Sequence, residues 1–184
     1  MVFGRLLNIF KSEKNKGTGK DVTLHDLDMG FIVDYEMRSW EVKEVAQYDW
    51  GNGFKGKEFK IFDGKDYLYL YVDPSLEELS ISWQINSNDG DLLSSKKSII
   101  TTDEPLHVLK FENKDWVIDD ESLAEYKIEG QSDWMDLLCW TYIDKSSGNE
   151  FIALNRWGEK KVEAYKGKYL KPFEISNILP RKQS

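Results

Sequence analysis

The sequence predicts a mainly β protein, with ten to twelve short antiparallel strands in a barrel-like or sandwich-like architecture and a short N-terminal amphipathic helix. Three observations predict it. Turn-forming clusters of Gly, Asn, Asp and Pro recur about every 8–12 residues. Between them, apolar and polar residues alternate with a period of two, the repeat of a pleated strand. The 7 Trp, 9 Tyr and 9 Phe supply large apolar areas and favour strands.

Taken in order, Val2, Phe3, Leu6, Leu7, Ile9 and Phe10 recur at helical spacing beside Arg5 and Lys11, and a Lys/Gly/Ser/Asn tether runs to Lys20. Residues 1–20 form this helix and basic tether, and 21–184 form one β-rich domain. Two similar lobes, 21–90 and 91–184, are an alternative division. A short echo motivates it: Gly56-Lys57-Glu58-Phe59 and Gly148-Asn149-Glu150-Phe151. Thr23–Leu27 is a lead-in, and Phe31–Tyr35 is a strand.

Trp40–Trp50 is the dominant strand. Trp40, Val42, Ala46, Tyr48 and Trp50 share one face in strict alternation, and Glu44 alone breaks it. Gly51-Asn52-Gly53 turns the chain into Lys57–Phe62, and Asp63-Gly64 turns it again into Tyr67–Val72. There Tyr67, Tyr69 and Tyr71 lie opposite Leu68, Leu70 and Val72, so both faces are covered, as in a barrel or sandwich. Leu79, Ile81, Trp83 and Ile85 alternate with Ser80, Ser82, Gln84 and Asn86, the pattern of a half-buried strand.

Asn86–Asp91 superficially suggests a calcium loop. Aligning Gly90 with that loop's glycine puts Ile85 where the first carboxylate is required, so a hairpin turn is the better reading. Leu92–Asp103 reads as a polar loop holding a short strand at Ile99-Ile100. Leu106–Phe111 and Trp116–Ile118 form a hairpin across Glu112–Asp115. The acidic cluster Asp119-Asp120-Glu121 precedes a strand at Ser122–Ile128. Trp134–Ile143, apolar on both faces, is a central strand. Glu150–Trp157, Lys161–Tyr165 and Tyr169–Leu170 follow, and Phe173–Leu179 is extended with one helical turn.

The formal charge is −8, with +4 on residues 1–20, so the domain is acidic and repels nucleic-acid phosphates. A single cysteine, Cys139, allows no internal disulfide and fits a reducing, cytoplasmic setting. No apolar run approaches the ~20 residues of a membrane-spanning helix. Only His25 and His107 are present, so no zinc site of ordinary spacing forms locally. There is no phosphate-binding glycine loop, dinucleotide fingerprint or nucleophile elbow. The cluster at Asp119–Glu121 is the one place where carboxylates suggest acid–base work, and nothing in the sequence drives their pKa values apart.

Gly30-Phe31-Ile32-Val33-Asp34-Tyr35, Trp40-Glu41-Val42, Tyr48-Asp49-Trp50-Gly51, Lys57-Glu58-Phe59-Lys60, Arg156-Trp157-Gly158-Glu159 and Ile175-Ser176-Asn177-Ile178-Leu179-Pro180 resemble the bacterial "domain of unknown function 4178" family. The likeness runs from Leu24 to Arg181 and is weakest over Asp89–Gly130. It implies a β-rich cytoplasmic protein linked to envelope or membrane stress, and it brings no catalytic motif, cofactor or metal.

The functional expectation is a non-catalytic binding or adaptor module with a protein partner. The N-terminal segment, through Phe3, Arg5, Leu6, Leu7, Phe10 and Lys11, would dock on that partner or peripherally at the inner face of the membrane. The alternative is a small-molecule-binding β-domain with an aromatic pocket at Trp50, Tyr67, Tyr69 and Tyr71. A hydrolytic enzyme is the least favoured reading.

Overall fold

The computed structural model describes residues 22–75, 77–144, 146 and 148–180. Among them are eleven strands and one α-helix. The strands are β1 (Ile32–Tyr35), β2 (Arg38–Asp49), β3 (Lys55–Phe62), β4 (Tyr67–Val72), β5 (Leu79–Ile85), β6 (Val108–Phe111), β7 (Lys114–Ile128), β8 (Met135–Asp144), β9 (Glu150–Trp157), β10 (Lys161–Tyr169) and β11 (Ser176–Leu179). The helix is α1 (Gly90–Thr102), and 3-10 turns lie at Leu24–Asp26 and Pro172–Glu174. The mainly β prediction and its strand count agree with this architecture.

Neighbours run β11-β1-β2-β3-β4-β5-β10-β9-β8-β7-β6, and β2 also pairs with β7. That last pairing, with Tyr48 opposite Tyr126 and Ala46 opposite Ile128, closes eight antiparallel strands into a barrel. Strands β1, β11 and β6 lie outside it. Closure removes the free edges that an open sheet would expose.

The barrel carries its apolar cores on the outside of its wall. One core packs Val33, Trp40, Val42, Phe59, Ile61, Leu70, Leu79 and Ile81 against Leu24, Leu27, Leu170 and Ile175. The second packs Trp116, Trp140, Tyr142, Ile152, Leu154 and Val162 against Leu92 and Ile99 of α1. Most of the wall therefore turns its more aliphatic face outward, beneath the outer layer, and its more polar face inward; the second half of β2 and of β7 is the exception, with Ala46, Tyr48, Ala124 and Tyr126 in an inner cluster. Ser80, Ser82 and Gln84, which read in sequence as a solvent face, line the barrel interior.

The Trp40–Trp50 stretch does not keep one face. Register shifts between Val42 and Glu44, opposite Ile61 and Lys60. This β-bulge sends Trp40, Val42 and Val45 to the outer core and brings Ala46 and Tyr48 into an inner cluster. Glu44 interrupted the apolar alternation because the strand changes face there.

The same device recurs in β7, whose register shifts between Ile118 and Asp120. The two bulged strands follow matching hairpins. Glu36 and Met37 join β1 to β2 with φ of 49° and 60°, and Glu112 and Asn113 join β6 to β7 with φ of 50° and 60°. Both are left-handed two-residue turns that match strand twist. Trp40 Nε1 donates to the Tyr35 carbonyl at 3.2 Å, and Trp116 Nε1 donates to the Phe111 carbonyl at 3.1 Å. Arg38 lies over the Trp40 ring and Lys114 over the Trp116 ring. The sheet is thus built of two meanders, β1–β5 and β6–β10, each begun by the same hairpin, whose first strand lies outside the barrel. Gly56–Phe59 sits in β3 whereas Gly148–Phe151 opens β9, so that four-residue echo falls on non-equivalent strands.

Three local expectations are corrected. Leu92–Asp103 is helical, not a loop with a strand, because Leu92, Ser95 and Ile99 fall on one buried side at helical spacing. Adjacent Lys and Ser pairs blur that period in sequence. Asn86–Asp91 leads into this helix with Asp89 at its N-cap, and does not form a hairpin. The acidic cluster Asp119–Glu121 does not separate two strands. It lies at the bulge of the continuous β7.

Candidate functional site

The inward faces of all eight barrel strands enclose a lumen of about 500 Å³. Its wall is set by the register. Glu58 of β3 lies opposite Ala46 and Tyr71, and Tyr69 opposite Lys60 and Ser82. Across the barrel, Glu163 of β10 lies opposite Asn155, which lies opposite Cys139. Small residues make the room. A Cβ on Gly56 would overlap the Tyr71 ring, and one on Gly167 would meet the Phe151 ring and the Ile81 carbonyl oxygen at 2.7 Å.

Aromatic rings dominate one side. Tyr48 stacks on Trp50 at 5.2 Å and meets Tyr71 and Tyr126 edge-on at 5.7 and 5.0 Å. Tyr126 in turn meets Trp157 at 4.9 Å. Such edge-to-face sets place ring edges against ring faces, which suits their quadrupoles. Trp50 Nε1 donates to Tyr71 Oη at 2.9 Å, tying the end of β2 to β4.

Of the four lumen-lining carboxylates, Glu44, Glu58, Glu78 and Glu163, two have contrasting surroundings. Glu163 accepts from Trp157 Nε1 at 2.8 Å, Tyr165 Oη at 3.1 Å and Gln84 Nε2 at 3.5 Å, and pairs with Lys161 at 3.1 Å. Glu58 accepts a single hydrogen bond among the described residues, from Tyr48 Oη at 3.1 Å. Glu58 is half-buried in the barrel wall and lines the lumen. Loss of hydration is the main reason its carboxyl is pushed up to about 7, with Glu44 raising it further and the Tyr48 bond and Lys60 opposing the shift.

Burial also raises Tyr71 to about 12 and holds Tyr48, Tyr69, Tyr126 and Tyr165 above the ordinary phenol value. These hydroxyls are therefore neutral hydrogen-bonding groups at physiological pH. Cys139 borders the lumen, and burial pushes its thiol up to about 12, which makes it a poor nucleophile.

One end of the lumen opens into a hollow of about 760 Å³. Trp50, Phe54 and Leu123 form its apolar lip, with Phe54 71% and Leu123 67% exposed. Asp73, Glu77, Glu78, Asp119 and Asp120 face it against Lys55. Burial and the neighbouring Asp73 and Asp120 raise the Glu78 carboxyl. Another hollow, of about 660 Å³, lies beside the β4–β5 wall and shares Lys60, Tyr69 and Gln84 with the lumen; two of its cations are already paired, Arg38 with Asp66 at 3.1 Å and Lys168 with Glu36 at 2.6 Å.

Of the aromatic residues singled out in sequence, Trp50, Tyr69 and Tyr71 line the lumen. Tyr67 does not join them; it is 48% exposed, stacked on Phe62 at 4.4 Å with Lys60 over its ring. Phe3, Arg5, Leu6, Leu7, Phe10 and Lys11 lie outside the described residues. His25 and His107 are both exposed, on separate elements. Asp119 and Asp120 border the mouth, and Asp120 is hydrogen-bonded by Ser122 Oγ. Among the described residues no group of three or more His, Cys, Asp or Glu is placed to hold a metal ion. Sequence reasoning missed Glu58, Tyr126, Trp157 and Glu163. The one signal that pointed to them was Glu44, a carboxylate on an otherwise apolar face.

The sequence is 27% identical over 193 residues to an "Uncharacterized protein" of Aquifex aeolicus (strain VF5), covering 96% of this chain and 97% of that one. No solved structure matches. Residues 28–172, the whole barrel with its helix, match the family described as "Domain of unknown function (DUF4178)", and the chain belongs to that family.

Proposed function

We propose that the protein is a non-catalytic carrier or sensor that holds a small molecule inside its barrel. The observation that supports this reading is the lumen itself. It measures about 500 Å³, within the size range of small-molecule sites, and combines aromatic walls with a few convergent polar groups. A barrel built only for stability would fill its interior with interdigitating aliphatic side chains, because voids forfeit dispersion contacts. Here most of the aliphatic residues pack outside the wall, and Ser80, Ser82, Asn155 and Glu58 face inward beside a few apolar ones such as Leu137 and Ile128. Catalysis is the weaker reading, since the interior tyrosines and Cys139 are held in their neutral forms and Glu163 is fully engaged.

Native mass spectrometry of full-length protein isolated from its source cells tests the reading. Ala153, 9% exposed on β9 and lumen-facing, is the position to fill. The wild type should carry a non-covalent small-molecule mass that Ala153→Trp lacks. Overpacking costs about 1–3 kcal/mol, which a domain of this size should survive. Identical spectra for the two folded proteins would overturn the proposal.

A further inference from the structure

Resting on the lumenal reading above, we propose that the ligand is a small organic cation, an alkylammonium or quaternary ammonium ion, held by the Glu58 carboxylate among the rings of Tyr48, Trp50, Tyr71 and Tyr126. Four features lead to this class. First, Glu58 is a lumen-lining carboxylate with capacity left, set among the aromatic rings. Glu163 receives three hydrogen bonds and an ion pair, whereas Glu58 receives only the Tyr48 hydroxyl. Second, the protein compensates its charge only in part. Lys60 shares its face of β3 and acts on it at a distance, yet its Nζ lies over the Tyr67 and Tyr69 rings at 5.0 and 5.8 Å, and no Lys60–Glu58 ion pair is present among the described residues. A carboxylate drawn away from bulk water without an ion-pair partner is costly, so the site suits a cation supplied from outside.

Third, the walls suit such an ion. Ring faces attract cations and also accept alkyl groups, which a hydrated metal ion would not exploit. An anion of the same size would meet Glu44, Glu58, Glu78 and Glu163 against two cations, Lys60 and the already paired Lys161. Fourth, Asn155 lines the lumen, and its buried Oδ1 has no hydrogen-bond partner among the described residues, a second acceptor in the wall left without a protein donor. The mouth adds selection at a distance, because Asp73, Glu77, Glu78, Asp119 and Asp120 against Lys55 concentrate cations near the opening.

Binding is also linked to protons. The charged groups that line the lumen with Glu58 are Glu44 on β2, Lys60 on β3, Glu78 just before β5, and Lys161 and Glu163 on β10, and the surrounding tyrosines stay neutral. With its carboxyl near 7, Glu58 is partly protonated at neutral pH and gives up that proton when a cation binds.

Isothermal titration of the full chain decides the matter, using tetramethylammonium, choline, butylammonium, and the neutral carbon isostere of choline, in which tert-butyl replaces trimethylammonium. A cation should bind with a Kd of about 1 mM or tighter at about pH 8, and at least about ten-fold more weakly at about pH 5.5. The neutral isostere, and the cation with Glu58→Gln, should each also bind at least about ten-fold more weakly. Equal binding of the isostere, or undiminished cation binding by Glu58→Gln, would overturn the cation assignment. So would failure of all three cations. In each case the Ala153→Trp mass comparison separately decides whether the lumen holds a ligand of another class.

Discussion

Glu58→Gln should make the protein more stable, although it removes a hydrogen-bonded side chain from the interior. The carboxyl is raised from its ordinary 4.5 to about 7, so the folded state holds the Glu58 proton more tightly than the unfolded chain does. The stability associated with this group is therefore fully present below about pH 4.5 and is lost as pH rises to about 7. At about 1.4 kcal/mol per pH unit, the ionised side chain costs the fold on the order of 3 kcal/mol at most. Contact with the lumen screens part of that, which leaves about 1–3 kcal/mol. Glutamine keeps the shape and an acceptor for Tyr48 Oη, and it carries no charge at any pH. At about pH 8 Glu58→Gln should thus melt about 3–8 °C above the wild type, and the two should converge near pH 5. Urea unfolding at a series of pH values checks both the sign and the window. A variant less stable than the wild type at pH 8, or a gap that does not change with pH, would refute the reasoning about this site.

Other consequences are local. Gly167→Ala should destabilise by more than the ~1–3 kcal/mol usual for overpacking, because the new Cβ meets the Ile81 backbone oxygen as well as the Phe151 ring. Gly56→Ala should cost less, since only the Tyr71 side chain must move, and it should disturb the Trp50–Tyr71 hydrogen bond seen in tryptophan fluorescence. Cys139, with a thiol near 12, should resist iodoacetamide in the native protein at neutral pH and react once unfolded in urea, as mass spectrometry would show. Ile99→Ala should cost about 2–5 kcal/mol, measured by urea unfolding, because α1 forms part of the second outer core.

What the sequence made legible follows from which rules act locally. Turn residues mark strand ends directly, so the strands of both meanders and the closing Phe173–Leu179 segment fall close to their predicted places. Alternation shows that a strand has two unlike faces, but it does not say whether the polar face meets bulk water or an enclosed lumen. Ser80, Ser82 and Gln84 were read outward for that reason. A bulge is visible only as a break in period, and Glu44 and the cluster at Asp120 both marked one. Helix α1 escaped because adjacent residues such as Leu92 and Leu93, or Ile99 and Ile100, obscure a stripe only Leu92, Ser95 and Ile99 wide. Of the site, Trp50, Tyr69 and Tyr71 were within reach of pattern reading. Glu58 was not, because its significance depends on strands far away in sequence that close the barrel around it.

The most direct measurement is a high-resolution crystal structure of the full-length protein isolated from its source cells. The lumen should be open, with density for a small non-protein molecule against the Glu58 carboxylate and the Tyr48 and Tyr126 rings. A barrel whose tyrosines have collapsed together, leaving no space beside Glu58, would contradict it.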